Sequence, residues 1–442
     1  MSEHQSLEFK KSYGYIFSFF YSIQGLYNGI QWIIFPIYLI TVLKNIEFAL
    51  ILGIFSITTI PWTLKIFIGM MNDKFGTKKF GRRKPWIFIF SIWAGISFIV
   101  AGIGLILISP NLIINFIIFW ALMWNIGMAI SDTALDGLIL DVTPKDKLGK
   151  IQGYTWSMNT LMYMGGGILL GAIFIFFNAV WLLFIFEGFL LFLAGFFPFY
   201  IKESVLTERI NAFKNLKLIL KTQTNWKVFI FSFIDSIPYG IVSLIYGLLV
   251  IIYMPNSPIS ATITSLSLTS ESIDLFIMYS ILGAFGCIGV IIGCIITGKI
   301  ADKKRRSAVY FAQVMYIPFL CISVLFRGPI FLGIIMMIIL GIGQGALTTS
   351  YQSIRGDIAR QYPEMDSTYY ALVISVLNTG QMVGFALSAF LLIIFSNFYT
   401  EFYLIYFWII IFMAGLQTLS FIIFMTINPR EYEFKHHLAI SS

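Results

Sequence analysis

The sequence predicts an all-α integral membrane protein of twelve transmembrane helices arranged as two six-helix halves. Composition is the first ground for this. The chain is 58% hydrophobic and only 11% charged, with a mean hydropathy of +0.87. A soluble protein of 442 residues needs far more charge to cover its surface. Length is the second ground: a spanning helix takes about 20 apolar residues, which leaves room for roughly a dozen with short connections. The third is where the cations fall. All of the 29 Lys and Arg residues except Lys44, Arg327 and Lys65 lie at the termini or in the loops on the termini's side. Positive charge accumulates on the cytoplasmic side, so both termini are expected in the cytoplasm and the protein in the cell membrane.

The apolar runs place the first six helices at 13–41, 47–69, 86–108, 112–139, 150–177 and 180–201. The second six fall at 226–253, 275–298, 307–326, 330–354, 368–395 and 402–426. The expected domains are therefore an N-terminal half (1–201), a polar linker (202–225) and a C-terminal half (226–442). In the linker, INAFKNLKLILKTQTNWK alternates apolar and basic residues. It reads either as a solvated connector or as a basic amphipathic helix on the inner leaflet. The stretch 254–274 is rich in Ser and Thr, contains Glu271 and Asp274, and holds no cation, as suits an external loop.

Cation placement in short loops, despite the formal charge of +8, argues against nucleic acid as a partner. Cys287, Cys294 and Cys321 sit in apolar runs without metal-ligand spacing, and His4, His436 and His437 sit near the termini. No metal, no cofactor and no enzymatic nucleophile–base pair is expected. Lys10 and Lys11 precede an apolar run too long for a signal peptide.

The two halves repeat one another. Gly69, Asp73 and Lys74 close the second helix, and Gly298, Asp302 and Lys303 close the eighth. Asp136-Gly137, Pro144 and Asn159 align with Arg355-Gly356, Pro363 and Asn378 at one constant offset. Two six-helix repeats around a midplane site are a transporter architecture.

Gly69 to Lys79 resembles the signature loop of the major facilitator superfamily: Gly, three residues, Asp-Lys, one residue, Gly, then basic residues. Gly69 permits close helix approach, Asp73 ends a helix where it can pair or cap, and Gly76 supplies the turn. Gly298 to Arg306 is a second copy without the second Gly. IPWTLK ending at Lys65, then FGRRKPW at 80–86 and SDTALDG at 131–137 followed by Asp141, resemble the branch of muropeptide permeases (AmpG-like) and acetyl-coenzyme A transporters. GRRKPW is also similar to the sugar:cation symporters. Two positions depart from the superfamily's patterns. Asp132 and Asp136 stand where its drug/proton antiporters carry an arginine in the fourth helix, and Thr77 replaces the first basic residue after Gly76. The resemblance implies the major facilitator fold, with rocking of the halves giving alternating access to a small organic solute.

Ionisable groups within a span cost roughly 2.5–3.5 kcal/mol each on insertion scales, so each requires a reason. The candidates are Lys65, Asp132, Asp136, Glu187, Asp235 and Arg355. Asn125, Asp132 and Asp136 share one face of the fourth helix by their spacing of seven and four. They form either a static ion pair with Lys65 or a proton-exchanging group beside it. Arg355 has Asp302 and Asp357 as its natural sequence partners, making a gate pair in the second half. Asp235 lies about 13 Å into the seventh helix by the helical rise, with Pro238 inviting a kink beyond it. It is either a proton or substrate site, or an acid bonded to a residue such as Tyr239. Glu187 is a weaker candidate that could snorkel or pair across a helix contact.

Gln24, Asn28 and Gln31 line one face of the first helix. Asn159, Gln344, Gln352, Asn378 and Gln381 are similar intramembrane polar groups, serving interhelical bonds or a polar cavity. Tyr21, Tyr27, Trp32, Trp156 and Tyr239 could stack on a ring-bearing solute. Gly165 to Gly167 reads as helix packing or a hinge, and no Walker sequence supplies ATP.

The expected function is therefore secondary active transport, proton-coupled, of a small organic solute through a monomer in the lipid bilayer. Asp132, Asp136, Asp235, Glu187, Gln24, Asn28, Gln31, Asn159, Gln344 and Asn378 line the substrate and proton pathway. Lys65, Gly69, Asp73, Lys74, Gly76, Arg82, Arg83, Gly298, Asp302 and Arg355 form the cytoplasmic gate. The alternatives are a sugar or glycoside cation symporter, and a solute sensor or assembly factor on the same fold.

Overall fold

The computed structural model describes residues 10–43, 45–77, 80–143, 145–203, 212–239, 241–261, 265–268, 272–325, 329–359 and 366–432. Eight helices among these are long and apolar enough to cross a membrane: Lys11–Leu43, Lys84–Leu107, Leu112–Ile139, Val180–Tyr200, Ile273–Ala301, Ile330–Ala359, Tyr369–Ser396 and Phe402–Met425. The other four expected spans are helical too, and each is interrupted or polar for a local reason. The second is Phe48–Thr58, a short turn Ile60–Thr63 opened by Pro61, and Lys65–Lys74. The fifth runs Lys145–Leu161, a π-helical turn Met162–Gly166 and Gly167–Phe176. The seventh breaks between Gln223–Ser236 and Ile241–Ile252, where Pro238 cannot continue the hydrogen-bond ladder. The ninth, Arg305–Ser323, opens on two arginines and contains Gln313 and Pro318.

Contacts divide the chain into two compact units. The first comprises Met1–Tyr38 and Thr58–Ala212; the second comprises Leu39–Ile57 and Phe213–Ser442. In the first unit, backbones approach where side chains are missing. A Cβ on Gly29 would lie 2.7 Å from the Cα of Gly167, and one on Gly25 2.1 Å from the Asn159 carbonyl oxygen. The first and fifth spans thus touch backbone to backbone, and both carry a π-helical turn beside the contact. Gly95 and Gly188 do the same for the third and sixth spans. An aromatic core fills the remaining space: Phe98 stacks on Trp124 at 4.6 Å, with Tyr27 and Phe184 against Phe98 at 6.0 and 5.7 Å.

In the second unit, the eighth and tenth spans are held by four glycines. Added Cβ atoms on Gly289, Gly293, Gly341 and Gly345 would each fall 2.1 Å from a carbonyl oxygen of the facing helix. A three-stranded antiparallel sheet, not anticipated by an all-α reading, joins Asn45–Glu47 (β1), Ile259–Ala261 (β2) and Ser265–Leu268 (β3) in the order β1-β3-β2. Its apolar side chains Ile46, Ile259 and Leu266 are buried. Strand pairing satisfies backbone groups that an irregular loop would leave open. The outward faces of the spans carry exposed Ile, Phe and Leu side chains, such as Ile96, Phe189, Ile295 and Ile422, which suit a lipid solvent.

Candidate functional site

The first unit concentrates its buried charge at the break in the second span. Pro61 and the interruption at Leu64 bring Lys65 to the start of a new helix, buried against the fourth span. Its ammonium donates to Asp132 and lies 3.7 Å from Asp136. It also lies over the ring of Trp62, 5.1 Å from the centroid. Asp132 accepts a second bond from Gln24 at 2.8 Å, and Asn159 donates to Gln24 at 3.4 Å. Asp136 accepts from the Tyr21 hydroxyl, whose ring meets Trp156 edge-on. The two acids differ in access: the Asp132 side chain is 5% exposed and that of Asp136 is 44% exposed.

One turn and more along the fourth span, Asn125 accepts from both Tyr27 (2.6 Å) and Trp62 (2.7 Å). Trp124 donates to Gln31 at 3.0 Å. The spacing of Asn125, Asp132 and Asp136 does place all three on the face that meets the first and second spans. Asn28, by contrast, is only half-buried.

A second cluster sits at the loop after the second span. Gly76 is needed because a Cβ there would crowd the Arg82 Cα at 3.0 Å, and Gly81 has φ +88°, the left-handed region that favours glycine. That turn aims two backbone N–H groups, those of Arg82 and Arg83, at one oxygen of Glu203 (2.8 and 2.9 Å). Their guanidinium groups both reach Asp141, Arg82 through its Nη2 to both carboxylate oxygens at 3.1 and 2.9 Å and Arg83 through its Nε at 3.3 Å. Glu203 was not singled out from sequence; the signal was an acid placed just beyond the sixth span, on the side where the basic loop lies. Gly69 lies within Lys65–Lys74; the side chains of Asp73 and Lys74 fall outside the described residues.

The second unit pairs its charges differently from the sequence expectation. Arg355 bonds Asp235 at 3.3 Å and Ser232 at 2.9 Å, with its guanidinium between the rings of Phe231 (5.3 Å) and Tyr351 (5.6 Å). Asp357 is bound instead by Arg305 at 2.7 Å. The expected Arg355–Asp357 pair is thus corrected. Successive helix positions two apart point to different faces, and Arg355 turns inward to the seventh span while Asp357 meets the ninth. The side chain of Asp302 falls outside the described residues. Asp235 also accepts from Gln417 at 2.9 Å, so its partners are Arg355 and Gln417, and Tyr239 is 40% exposed. Gly298 lies within the eighth span, while Gln344 and Asn378 are half-buried in the tenth and eleventh.

Glu187 neither snorkels nor pairs. It is fully buried, and neither carboxyl oxygen has a hydrogen-bond partner. Its neighbours Phe186 and Phe189 are exposed, so the helix turns the acid inward and the rings outward. Among the described residues no group of three or more His, Cys, Asp or Glu side chains comes together to hold a metal ion.

Comparison with known proteins bears on the fold and the family. A putative transporter, AmpG 1 of Rickettsia conorii, is 28% identical over 268 residues, 58% of this chain. The match spans 61% of that relative's length. The crystal structure of the nucleoside transporter NupG superposes with a TM-score of 0.67 at 14% identity, covering 94% of this chain and 99% of that one. A bacterial homologue of the human lysosomal transporter Spinster, in an inward-facing and unoccupied conformation, gives 0.62 at 13% identity over 95% and 97%. At such identities the superpositions establish the fold alone. The model of the Major Facilitator Superfamily matches residues 17–362, from the first span through the basic loop of the second and on past Arg355. That stretch is most of the chain, and the chain belongs to the Major Facilitator Superfamily.

Proposed function

We propose that this membrane transporter is a secondary active carrier that couples proton movement to a small neutral organic solute, sugar or glycoside in character, by alternating access. The observation that carries the reading is one ammonium, Lys65, shared between two carboxyls of unequal access, Asp132 and Asp136. A single cation balances only one carboxylate, so a proton on the other leaves the cluster neutral. The exposed Asp136 can exchange that proton with water, while Asp132 holds Lys65 and Gln24 in place. In the second unit the buried Arg355 is matched by Asp235, so this pair offers no uncompensated cation to an anionic solute.

The Arg82–Asp141–Arg83 cluster and Glu203 would serve as a latch on the cytoplasmic side, with both termini on that side by the distribution of cations. The protein acts as a monomer in the cell membrane.

The test is uptake into proteoliposomes of radiolabelled glucose, methyl glucoside, cellobiose and uridine, with and without an inward proton gradient. Gradient-stimulated flux is expected in the wild type and absent in Asp136→Asn, which retains counterflow. Flux indifferent to the gradient would remove proton coupling. Flux of anionic sugar phosphates alone would remove the neutral-solute reading.

A further inference from the structure

The acid that the Lys65 cluster does not use is Glu187. It is buried to 0% exposure, yet among the described residues no cation, hydroxyl or backbone N–H bonds to either of its oxygens. Its surroundings are the aromatic core of the first unit. Phe184, three residues earlier and so on the same helix face, packs on Phe98 and on Trp124 at 5.7 and 5.8 Å. The Gly95–Gly188 contact seals it against the third span.

The titratable groups that face this core are few. The third span contributes none beyond Lys84 at its very start, and Gly167–Phe176 of the fifth contributes none. The first span contributes Tyr27, whose ring packs on Phe98 at 6.0 Å and whose hydroxyl donates to Asn125 of the fourth span. Gln31, on the next turn of the first span, also has an unpartnered buried nitrogen, while its oxygen is bound by Trp124. A missing acceptor and a missing donor therefore border the same rings.

An ionised carboxylate without a counter-charge is the most costly group to bury, and the neutral acid is the form such a place accommodates. A merely structural position would be filled by Gln or Leu at lower cost. We propose that Glu187 is a second proton-binding site, holding an exchangeable proton in the aromatic core, with Tyr27 on the same rings governing how fast that proton exchanges. Tyr27 is held there by donating to Asn125, which also accepts from Trp62, the ring under Lys65. Its part in transport rests on the proton-coupled reading above; the presence and exchange of the proton do not.

Infrared difference spectroscopy of the full protein in lipid tests this without a solute. Wild type minus Glu187→Gln should show a carboxylic C=O band at neutral pH. That band should shift in deuterium oxide and disappear at alkaline pH, and Tyr27→Phe should slow the shift while leaving the band in place. A difference spectrum holding only carboxylate bands would overturn the proposal. So would a C=O band that neither shifts nor titrates, since that is a static acid. If Glu187→Gln does not fold, the same spectra are taken of Asp136→Asn with and without Tyr27→Phe, where the other protonated carboxyl is gone and the deuterium-sensitive C=O band still decides. Gradient-indifferent flux in a protein that passes these tests would remove the coupled reading and leave the proton site standing.

Discussion

The guanidinium of Arg83 fills the space that a side chain at Gly137 would need. A Cβ there would lie 2.6 Å from the Arg83 Cζ and 2.7 Å from its Nε. Arg83 in turn holds Asp141, one helical turn further along the fourth span. Gly137→Ala should therefore push Arg83 off Asp141. Arg83 is a flexible end that can move, so the loss of thermal stability should be modest, about 1 kcal/mol, in keeping with a partly exposed ion pair. Transport should fall more than stability does. Equal stability and unchanged flux in Gly137→Ala would remove this pair from the latch.

The glycines of the second unit separate into those that touch and those that do not. Gly289, Gly293, Gly341 and Gly345 would each drive a Cβ into a facing carbonyl, whereas Gly283 and Gly415 have nothing within 4 Å of an added Cβ. Alanine at any of the first four should cost about 1–3 kcal/mol by overpacking. Alanine at Gly283 or Gly415 should be neutral or stabilise by up to about 1 kcal/mol, because a helix interior favours Ala over Gly. Melting curves in one detergent distinguish the two sets. Similar costs in both would mean that the close approach of the eighth and tenth spans is not what these residues provide.

What the sequence revealed about the site follows from what a helical period can carry. Depth is legible: Lys65, Asp132 and Asp136 lie at matching levels of their spans, and the structure joins them. A break is legible when proline causes it, as at Pro238. The direction in which a helix faces its neighbour is much less so. Arg355 and Asp357 are two residues apart in the chain, yet they bond to different helices, and Asp235 lies 120 residues from its partner. Glu203 was hidden for the same reason, since its partners are backbone N–H groups about as far away and no side-chain pattern marks them. The small sheet escaped notice because its strands are three or four residues long and mostly Ser, Ile and Leu.

The linker helix Ala212–Lys221 leaves Lys217 and Lys221 exposed while Ile219 is buried and Leu220 is 37% exposed. A basic face beside an apolar one suits an anionic lipid surface, each Lys near it contributing about 1 kcal/mol at physiological salt. Protein in anionic lipid should melt higher than in neutral lipid. The double variant Lys217→Gln/Lys221→Gln should lose roughly 2 kcal/mol of that gain, and high salt should erase it in the wild type. A gain indifferent to both changes would mean that the helix does not recognise lipid charge.

Asp235 and Arg355 make the most demanding test, because both are removed from water: their side chains are 13% and 2% exposed. Neutralising one partner leaves the other as an uncompensated buried charge, which costs about 3–5 kcal/mol. Asp235→Asn keeps an acceptor for Gln417, so its cost should come from the stranded Arg355 rather than from Gln417. Adding Arg355→Gln removes that stranded charge, and the double variant should therefore be more stable than Asp235→Asn alone. Unfolding of the two single variants and the double, read as a cycle, isolates the pair. If the double variant loses the sum of the two single costs, the contact between the seventh and tenth spans is held by packing around Phe231 and Tyr351, and the ion pair adds nothing to it.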